Sequence, residues 1–366
     1  MKIAIIAPLV TAIREPQRGG SQAFVADLAR GLAGRGHAVH VYAASGSEIP
    51  GAEVIDTGID PESLAATLYR ASGPAAPDPD SDPAAAAFAS VYARVRGTRY
   101  DVIHNHAFDA PAVTLAAGLE APVVHTLHLP PDRAVAAALG HAEKTGRRPV
   151  VAAVSAFQAR AWRQVARVDA ILPPLVPTAS IGWSPSAGEG AVFAGRLSPE
   201  KGAAEAIDIA RAAGIPIDVY GDPYDADYAR EQIGPRGGQP GVAIHRAVPR
   251  ASLWAAMARA AVVLYPAGWD EPFGMAAAEA QACGTPVVAF RRGALGEVIS
   301  DGLTGFLVPP GDLQAAARAA GRVAGVSRMA CRRHAEAHLD LARSLDAHER
   351  LYRRAAGQVT GERASA

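Results

Sequence analysis

The sequence predicts an α/β protein with two doubly wound domains. Short apolar runs, partly β-branched, alternate with helical patterns, which is typical of parallel sheets covered by helices. A length of 366 residues is enough for two separate cores. A segment rich in Ser, Gly and Pro stops the alternation near the middle of the chain. We therefore expect domains at 1–176 and 191–344, a linker at 177–190, and a last helix with a tail at 345–366.

The composition argues against several classes of protein. The 36 basic and 36 acidic side chains cancel, so nucleic acid is not an expected partner. The two cysteines, Cys283 and Cys331, fit buried thiols in a reducing cytoplasm better than a disulfide framework. No run reaches the roughly eighteen apolar residues of a membrane span. We therefore expect a cytoplasmic protein without a transmembrane segment, while peripheral membrane contact and the oligomeric state stay open.

The first domain opens with a βαβ unit. Residues 1–8 predict a buried strand, and residues 37–42 predict the next one. The helix between them has an expected buried face of Phe24, Val25, Leu28 and Leu32. Such a unit has a right-handed crossover and parallel strands.

A polar loop at residues 14–20 joins the first strand to this helix. Ser21 is the expected N-cap of the helix. Gly19 and Gly20 stand just before it, where a glycine pair serves either a tight turn or phosphate binding. The loop lacks the G-x-G-x-x-G fingerprint, which argues against a dinucleotide-dependent dehydrogenase.

Two later strands, at 100–106 and 122–128, contain four histidines: His104, His106, His125 and His128. We expect these imidazoles at the carboxyl edge of the sheet, where open α/β folds bind ligands. A zinc site is the alternative, but no Cys or ordered acid ligand accompanies them. Further strands are expected at 150–155 and 170–172.

Residues 71–87 are rich in Pro and Asp and predict a mobile loop that leads into a helix. Asp78, Asp80 and Asp82 lack the glycine bend and closing glutamate of a calcium loop, so we interpret them as solvated. A lid on the acceptor side is the alternative role.

The second domain opens at residues 191–202 with a strand, a loop and a helix that contains Ile207 and Ile209. Arg196 and Lys201 fall on the loop at the carboxyl edge of the strand. A forked guanidinium and a flexible ammonium five residues apart are suited to two phosphate groups, although a surface position would explain either cation alone.

Further elements complete the second domain. Strands are expected at 215–220 and 242–245, and Arg250 begins a helix. From Asp312 a helical pattern continues to about Ala356, and we expect the tail from Gly357 onward to be disordered.

A strand at 261–265, a loop and a helix from Met275 to Ala282 form the most informative stretch. The backbone N–H groups of Phe273, Gly274 and Met275 lie at the start of this helix, where unpaired donors and the positive end of the dipole favour an anion. Gly274 lets the anion approach closely. The stretch therefore predicts an anion site.

Glu271 and Glu279 flank this predicted anion site. Two carboxylates would repel a phosphate, so they make chemical sense if they accept from neutral hydroxyls beside it. A nucleotide-sugar supplies both kinds of group. We expect Glu279 to accept from the ribose diol and Glu271 from hydroxyls of the transferred sugar. The alternative is that both are ordinary acids favoured by a helix start.

Two carboxylates separated by seven residues around Pro-Phe-Gly resemble the nucleotide-sugar motif of the retaining glycosyltransferases of family four. The resemblance continues through residues 290–299 and 301–308 and covers nearly the whole chain except the tail. It implies the GT-B fold, with two Rossmann-like domains facing across a cleft and the last helix crossing back to the first domain. It also implies sugar transfer to a hydroxyl with retained anomeric configuration, and a UDP-sugar is the first donor to expect. With two cations and a helix start at the diphosphate, we expect no metal or other cofactor.

The resemblance also assigns roles to other residues. It places Gly19 and Gly20 against the donor diphosphate, and Arg196 and Lys201 match its G-R-x-x-x-x-K-G pattern of diphosphate binding. It implies that His128 orients the sugar, although a histidine that caps a strand end is the alternative.

The sequence leaves two alternatives each for the roles of Arg250 and Trp269. The resemblance places Arg250 near the nucleotide base or ribose, and an exposed arginine at a helix start is the alternative. Trp269 either shapes the sugar pocket or packs against the domain edge.

The expected mechanism depends on the charge of the leaving group. No side chain is an evident nucleophile, so we favour a same-face route in which the departing diphosphate takes the acceptor proton. Arg196, Lys201 and the Gly274 backbone would hold the developing charge, while Glu271 and His128 contact the sugar. The acceptor is expected to be a small molecule or natural product. Alternatives are an epimerase or phosphorylase on the same architecture, a sugar-binding protein, and a zinc hydrolase.

Overall fold

The computed structural model describes residues 1–68, 83–145, 148–186 and 188–364. The chain forms two compact units. Unit 1 contains residues 1–14, 21–173 and 344–366, and unit 2 contains residues 15–20 and 174–343. The aspartate-rich part of the predicted loop at 71–87 lies outside the described residues, and residues 83–87 form the first turn of a helix.

Unit 1 contains a fully parallel seven-stranded sheet in the order β3-β2-β1-β4-β5-β6-β7. Its strands are β1 (Lys2–Ile6), β2 (Ala38–Ala43), β3 (Glu53–Asp56), β4 (Val102–Asn105), β5 (Val123–Leu127), β6 (Val150–Ala153) and β7 (Ala170–Ile171). Its first six helices are α1 (Gly20–Gly34), α2 (Pro61–Leu68), α3 (Pro83–Arg96), α4 (Ala110–Thr114), α5 (Arg133–Lys144) and α6 (Ala156–Trp162). The strand order reverses between β1 and β4, as in a doubly wound fold.

Helix α1 confirms the predicted amphipathic pattern and corrects its start. All four residues of the predicted face are buried, namely Phe24, Val25, Leu28 and Leu32. The helix begins at Gly20, so Ser21 lies in its first turn, where its hydroxyl donates to the Gln22 side chain at 3.0 Å. The expected N-cap role of Ser21 is therefore wrong.

Unit 2 contains a fully parallel six-stranded sheet in the order β10-β9-β8-β11-β12-β13. Its strands are β8 (Ala191–Ala194), β9 (Ile217–Tyr220), β10 (Val242–His245), β11 (Val262–Tyr265), β12 (Val287–Phe290) and β13 (Gly305–Val308). Its helices are α7 (Ala203–Ala213), α8 (Ala226–Tyr228), α9 (Gly234–Gly237), α10 (Arg250–Arg259), α11 (Met275–Ala282), α12 (Leu295–Val298), α13 (Leu313–Ala320) and α14 (Arg328–His334). The two parallel sheets confirm the predicted fold class.

The C-terminal helical pattern is not continuous. Helix α13 ends before Gly321, Ser327 caps α14 with its side chain, and α15 (Leu341–Ala364) starts after Asp340. Because α15 extends to Ala364, the expectation of a disordered tail is wrong for residues 357–364.

The last helix belongs to unit 1 from Ser344 onward, as the fold class predicts. The hydroxyl of Tyr352 lies 2.6 Å from Nδ1 of His104 on β4, and both side chains are fully buried. Leu345 packs against Gly31 of α1, where an added Cβ would lie 2.7 Å from the leucine side chain. At the rim, Arg35 pairs with Asp346 at 2.7 Å. A buried polar contact and apolar packing therefore attach this helix to the sheet.

We expect Tyr352→Phe to lower the stability of the protein by about 1–3 kcal/mol, because it leaves a buried nitrogen of His104 without its partner. The midpoint of thermal unfolding measures the loss. The matched control is Arg353→Ala on the same helix, whose exposed side chain pairs with Glu349 and should cost at most about 0.5 kcal/mol. Equal shifts for the two variants would contradict the proposed attachment.

Candidate active site in the second unit

The loops that follow β8 and β11 lie side by side, because these two strands are neighbours in the parallel sheet. Gly202 has a φ of 79°, and a Cβ there would lie 2.1 Å from the carbonyl oxygen of Pro266. The N–H of Gly268 donates to the carbonyl of Glu200 at 2.9 Å. The glycine of the Lys201-Gly202 pair therefore lets the two backbones approach each other closely.

This approach brings Lys201 to Glu271. The ammonium lies 3.1 and 2.9 Å from the two carboxylate oxygens, and both side chains are mostly buried. The indole N–H of Trp269 donates to the same carboxylate at 2.7 Å, and its ring centroid lies 4.7 Å from the ammonium. Lys201 and Trp269 therefore both donate to the Glu271 carboxylate and fix its position.

Tyr265, the last residue of β11, adds a third polar group beside Glu271. Burial, the charge of Glu271 and a hydrogen bond with that carboxylate raise the pKa of Tyr265 well above its ordinary value. The loop after β12 supports the same residue from its backbone, since the N–H of Ala294 donates to the Glu271 carbonyl at 2.8 Å.

The start of α11 has the geometry of an anion site. Gly274 precedes the helix with a φ of 102°, and a Cβ there would lie 2.6 Å from a methyl group of Leu295. Only glycine satisfies both demands. Within the described part of the chain, the N–H groups of Phe273, Gly274 and Met275 donate to no protein acceptor. These donors are free to bind a ligand anion.

Glu279 lies within α11 and pairs with Arg250 at the start of α10. Nε and Nη2 of Arg250 lie 3.0 and 2.6 Å from the same oxygen, Oε1, and both side chains are more than nine-tenths buried. The reading of Arg250 as an exposed arginine at a helix start is therefore wrong. Because both of these hydrogen bonds go to Oε1, we expect Oε2 of Glu279 to be the oxygen that accepts from a ligand.

Arg196 keeps a more open position than Lys201. Its guanidinium lies over the ring of Tyr224 at 4.2 Å and pairs with Glu200 at 3.2 Å, and about a third of its side chain is exposed. The hydroxyl of Ser198 also donates to Glu200 at 2.7 Å. The two predicted diphosphate cations therefore have separate carboxylate partners.

The segment of residues 15–20 belongs to unit 2. A Cβ on Gly20 would lie 3.2 Å from the sulfur of Met275 at the start of α11. The carboxylate of Glu15 accepts from the backbone N–H of Arg250 at 3.0 Å. The structure thus brings Gly20 of the predicted glycine pair to the same helix start.

The histidines of unit 1 take two kinds of position. His104 and His125 lie inside their strands and are buried, so the expectation that they stand at the carboxyl edge is wrong for these two. His106 and His128 follow the strands directly, and their ring nitrogens lie 2.9 Å apart. Among the described residues, no group of three or more His, Cys, Asp or Glu side chains is arranged to hold a metal ion.

Sequence reasoning missed two side chains of the site. Tyr265 and Tyr224 belong to no sequence motif, and the sequence left the role of Trp269 open. Only its position in the sequence could have indicated Tyr265. This residue ends β11, and the loop that carries Glu271 begins directly after it.

Two family models match the chain. The model described as Glycosyltransferase Family 4 matches residues 18–179, and the one described as Glycosyl transferases group 1 matches residues 185–324. The chain is also 30% identical to a D-inositol 3-phosphate glycosyltransferase of Acidothermus cellulolyticus, over 88% of this chain and 82% of that relative. The chain belongs to the glycosyltransferases of family four.

Solved structures show the same GT-B fold as this family-four glycosyltransferase. Sucrose-phosphate synthase from Thermosynechococcus elongatus has a TM-score of 0.74 at 19% identity, covering 97% of this chain and 99% of that chain. The Anabaena protein HepE in complex with UDP-glucose has a TM-score of 0.71 at 21% identity, covering all of both chains. Within the described ranges, no helix of the glycosyltransferase combines the length and apolar character needed to cross a membrane.

The buried histidines make the stability of the glycosyltransferase depend on pH. Burial lowers the pKa of His125 and of His348 on α15 to about 4, and it lowers the pKa of His104 and His106 well below 6.5. The unfolded chain therefore binds more protons than the folded one below pH 6.5. The stability is complete above that pH and decreases as the pH falls toward about 4.

We expect each of these histidines to remove about 1.4 kcal/mol of stability per pH unit below pH 6.5. Thermal unfolding measured between about pH 7 and pH 5 tests this. His348→Gln should weaken the pH dependence by about one proton. A profile that is flat down to pH 5 would show that the histidines are already charged in the fold.

Proposed function

We propose that this glycosyltransferase transfers a sugar from a nucleotide diphosphate sugar, with a UDP-sugar as the first candidate, to an acceptor hydroxyl. We further propose retention of the anomeric configuration and catalysis without a metal ion. The observation that carries the proposal is the arrangement in unit 2. Two buried carboxylates, two cations and the free donors of a helix start lie on neighbouring loops at one edge of a parallel sheet.

The helix start and the two cations support a diphosphate donor. The N–H groups of Phe273, Gly274 and Met275 can donate to an anion, and the missing side chain of Gly20 lets the anion approach the same point. Lys201 and Arg196 add positive charge from the neighbouring loop. Anions with two phosphate groups match this spread of donors better than one carboxylate would.

The geometry of Glu279 supports a ribose next to the diphosphate. Arg250 holds one of its oxygens in a buried ion pair. The other oxygen is left to accept a hydrogen bond. A neutral diol is a suitable donor there, because a second anion would be repelled.

Glu271 is suited to the transferred sugar. Its carboxylate is fixed by Lys201 and Trp269, which leaves lone pairs for hydroxyls of a hexose. Because these partners already hold it, we propose that it orients the sugar and does not act as the nucleophile. Contact between His128 and the sugar is proposed from the family pattern alone.

In the proposed step the bond between the anomeric carbon and the diphosphate oxygen breaks while the acceptor oxygen bonds to the same face of that carbon. The acceptor proton moves to the departing phosphate oxygen. Lys201, Arg196 and the N–H groups at the start of α11 stabilise the negative charge that grows on the leaving group. No redox partner is involved.

Similarity to the relative named D-inositol 3-phosphate glycosyltransferase supports a small, hydroxyl-rich acceptor for this chain. A natural product is a second candidate. Two free buried cysteines, Cys283 and Cys331, fit a reaction in the cytoplasm.

The direct test incubates the protein with a panel of nucleotide diphosphate sugars and polyol acceptors, and proton NMR identifies the anomer formed. We expect transfer from a UDP-sugar, retention, and nearly unchanged turnover in a chelator. Loss of turnover in chelator that magnesium or manganese restores would contradict the metal-independent mechanism. Donor consumption without an acceptor, or only with free phosphate, would indicate the epimerase or phosphorylase alternative.

We expect Lys201→Ala to lower turnover at saturating donor by about a hundredfold or more, because charge grows on the leaving group in the transition state. Arg196→Lys should retain little of the wild-type turnover, since the point charge of an ammonium does not replace the forked donors of a guanidinium. The control is Lys144→Ala at an exposed position of α5 in unit 1. Folded variants with unchanged turnover and only a raised Michaelis constant would show uniform binding instead.

The two carboxylates should differ in what they bind. Glu279→Gln should weaken binding of the sugar-free nucleotide diphosphate, whereas Glu271→Gln should leave that affinity near normal and reduce turnover. Calorimetry with the diphosphate and a turnover assay with the full donor separate these effects. If both variants change the affinity for the diphosphate equally, the assignment of ribose and sugar is wrong.

A further inference from the structure

We propose that Trp269 is a positioning residue for sugar transfer, which fixes the Glu271 carboxylate through its indole N–H and the Lys201 ammonium through its ring. This inference rests on the proposed function. It assigns a role to a side chain that belongs neither to the paired-carboxylate motif nor to the pattern that contains Arg196 and Lys201.

Trp269 contacts both members of the ion pair in different ways. Its N–H lies 2.7 Å from Oε2 of Glu271, the same oxygen that Lys201 approaches at 2.9 Å. Its ring centroid lies 4.7 Å from the ammonium, within the range of a cation–π interaction. One rigid side chain therefore sets the positions of a carboxylate and a cation together.

The ion pair alone does not define this geometry. A lysine has a flexible four-carbon stem and three rotating donors, so it can follow a carboxylate through many orientations. The indole N–H has a single direction, and a hydrogen bond to a charged acceptor is stronger than a neutral one. Trp269 thus restricts the rotation of the Glu271 carboxylate and the lone pairs that it offers to a sugar.

The backbone keeps Trp269 in place for this task. The preceding residue, Gly268, donates to the Glu200 carbonyl at 2.9 Å, which ties the loop to the loop of Lys201. The indole itself is only partly buried, unlike the fully buried Trp162 of unit 1.

Two substitutions separate the N–H from the ring. Trp269→Phe keeps an aromatic face for Lys201 and removes the donor to Glu271, whereas Trp269→Leu removes both. The matched control is Trp183→Phe, at another partly buried tryptophan of unit 2, next to Gly284. Circular dichroism and thermal unfolding confirm folding, and Trp269→Tyr, which also lacks an indole N–H, replaces Trp269→Phe if that variant does not fold.

We expect Trp269→Phe to lower turnover about tenfold, the order expected for one hydrogen bond to a charged group, and to leave the affinity for UDP unchanged. Trp269→Leu should also weaken UDP binding several-fold, because Lys201 loses its aromatic support. Trp183→Phe should resemble the wild type. In the background of Glu271→Gln, Trp269→Phe should add little further loss, since the charged acceptor is gone.

Wild-type turnover in Trp269→Phe would overturn the inference, as would a loss that adds fully to that of Glu271→Gln. A folded Trp269→Phe variant that loses UDP affinity and turnover in equal measure would also overturn it, because that pattern marks a general disturbance of the loop. A wild-type protein that binds UDP yet transfers no sugar would instead contradict the proposed function, and the inference with it.

Discussion

The arrangement of the site depends on the contact between the loops after β8 and β11, which the Lys201–Glu271 ion pair closes. Removing both charges from water is costly, and such a pair often adds little net stability. It is held because Gly202 lets the two loops approach and because a parallel sheet places the carboxyl ends of neighbouring strands together. We therefore interpret this desolvated ion pair as part of the active site at this sheet edge and not as a major source of fold stability.

The strands and the helix around the central motif were predictable because their signals are local. Helix α11 has the predicted bounds, since Gly274 and Gly284 both have positive φ and mark its two ends. Strand β3 and helix α2 were missed, because β3 is a four-residue edge strand with acidic ends and little apolar pattern. The helical pattern after Asp312 was interpreted as one helix because its apolar periodicity continues across the ends of α13 and α14. The structure ends these helices with local caps.

The sequence suggested the types of group in the site but not how they pair. Lys201 and Glu271 are 70 residues apart, and Arg250 and Glu279 are 29 apart, so no spacing rule links either pair. The sequence therefore offered Arg250 as either a ligand contact or an exposed side chain. Its burial against Glu279 depends on the packing of α10 beside α11, which only the folded chain reveals.

Pairing of this kind bears on selectivity. The pairs Lys201–Glu271 and Arg250–Glu279 carry no net charge together. Under the proposed function, attraction of a diphosphate would therefore rely on Arg196 and the helix start until Lys201 exchanges its partner. Inorganic phosphate or a bare diphosphate would draw Lys201 away from Glu271 and leave that carboxylate with only its neutral donors, Trp269 and Tyr265. A ligand that brings hydroxyls beside its phosphates compensates Glu271 at the same moment. Under the proposed function, the site would therefore favour a nucleotide-sugar over the bare diphosphate, because the phosphates pair with Lys201 while the sugar hydroxyls donate to Glu271.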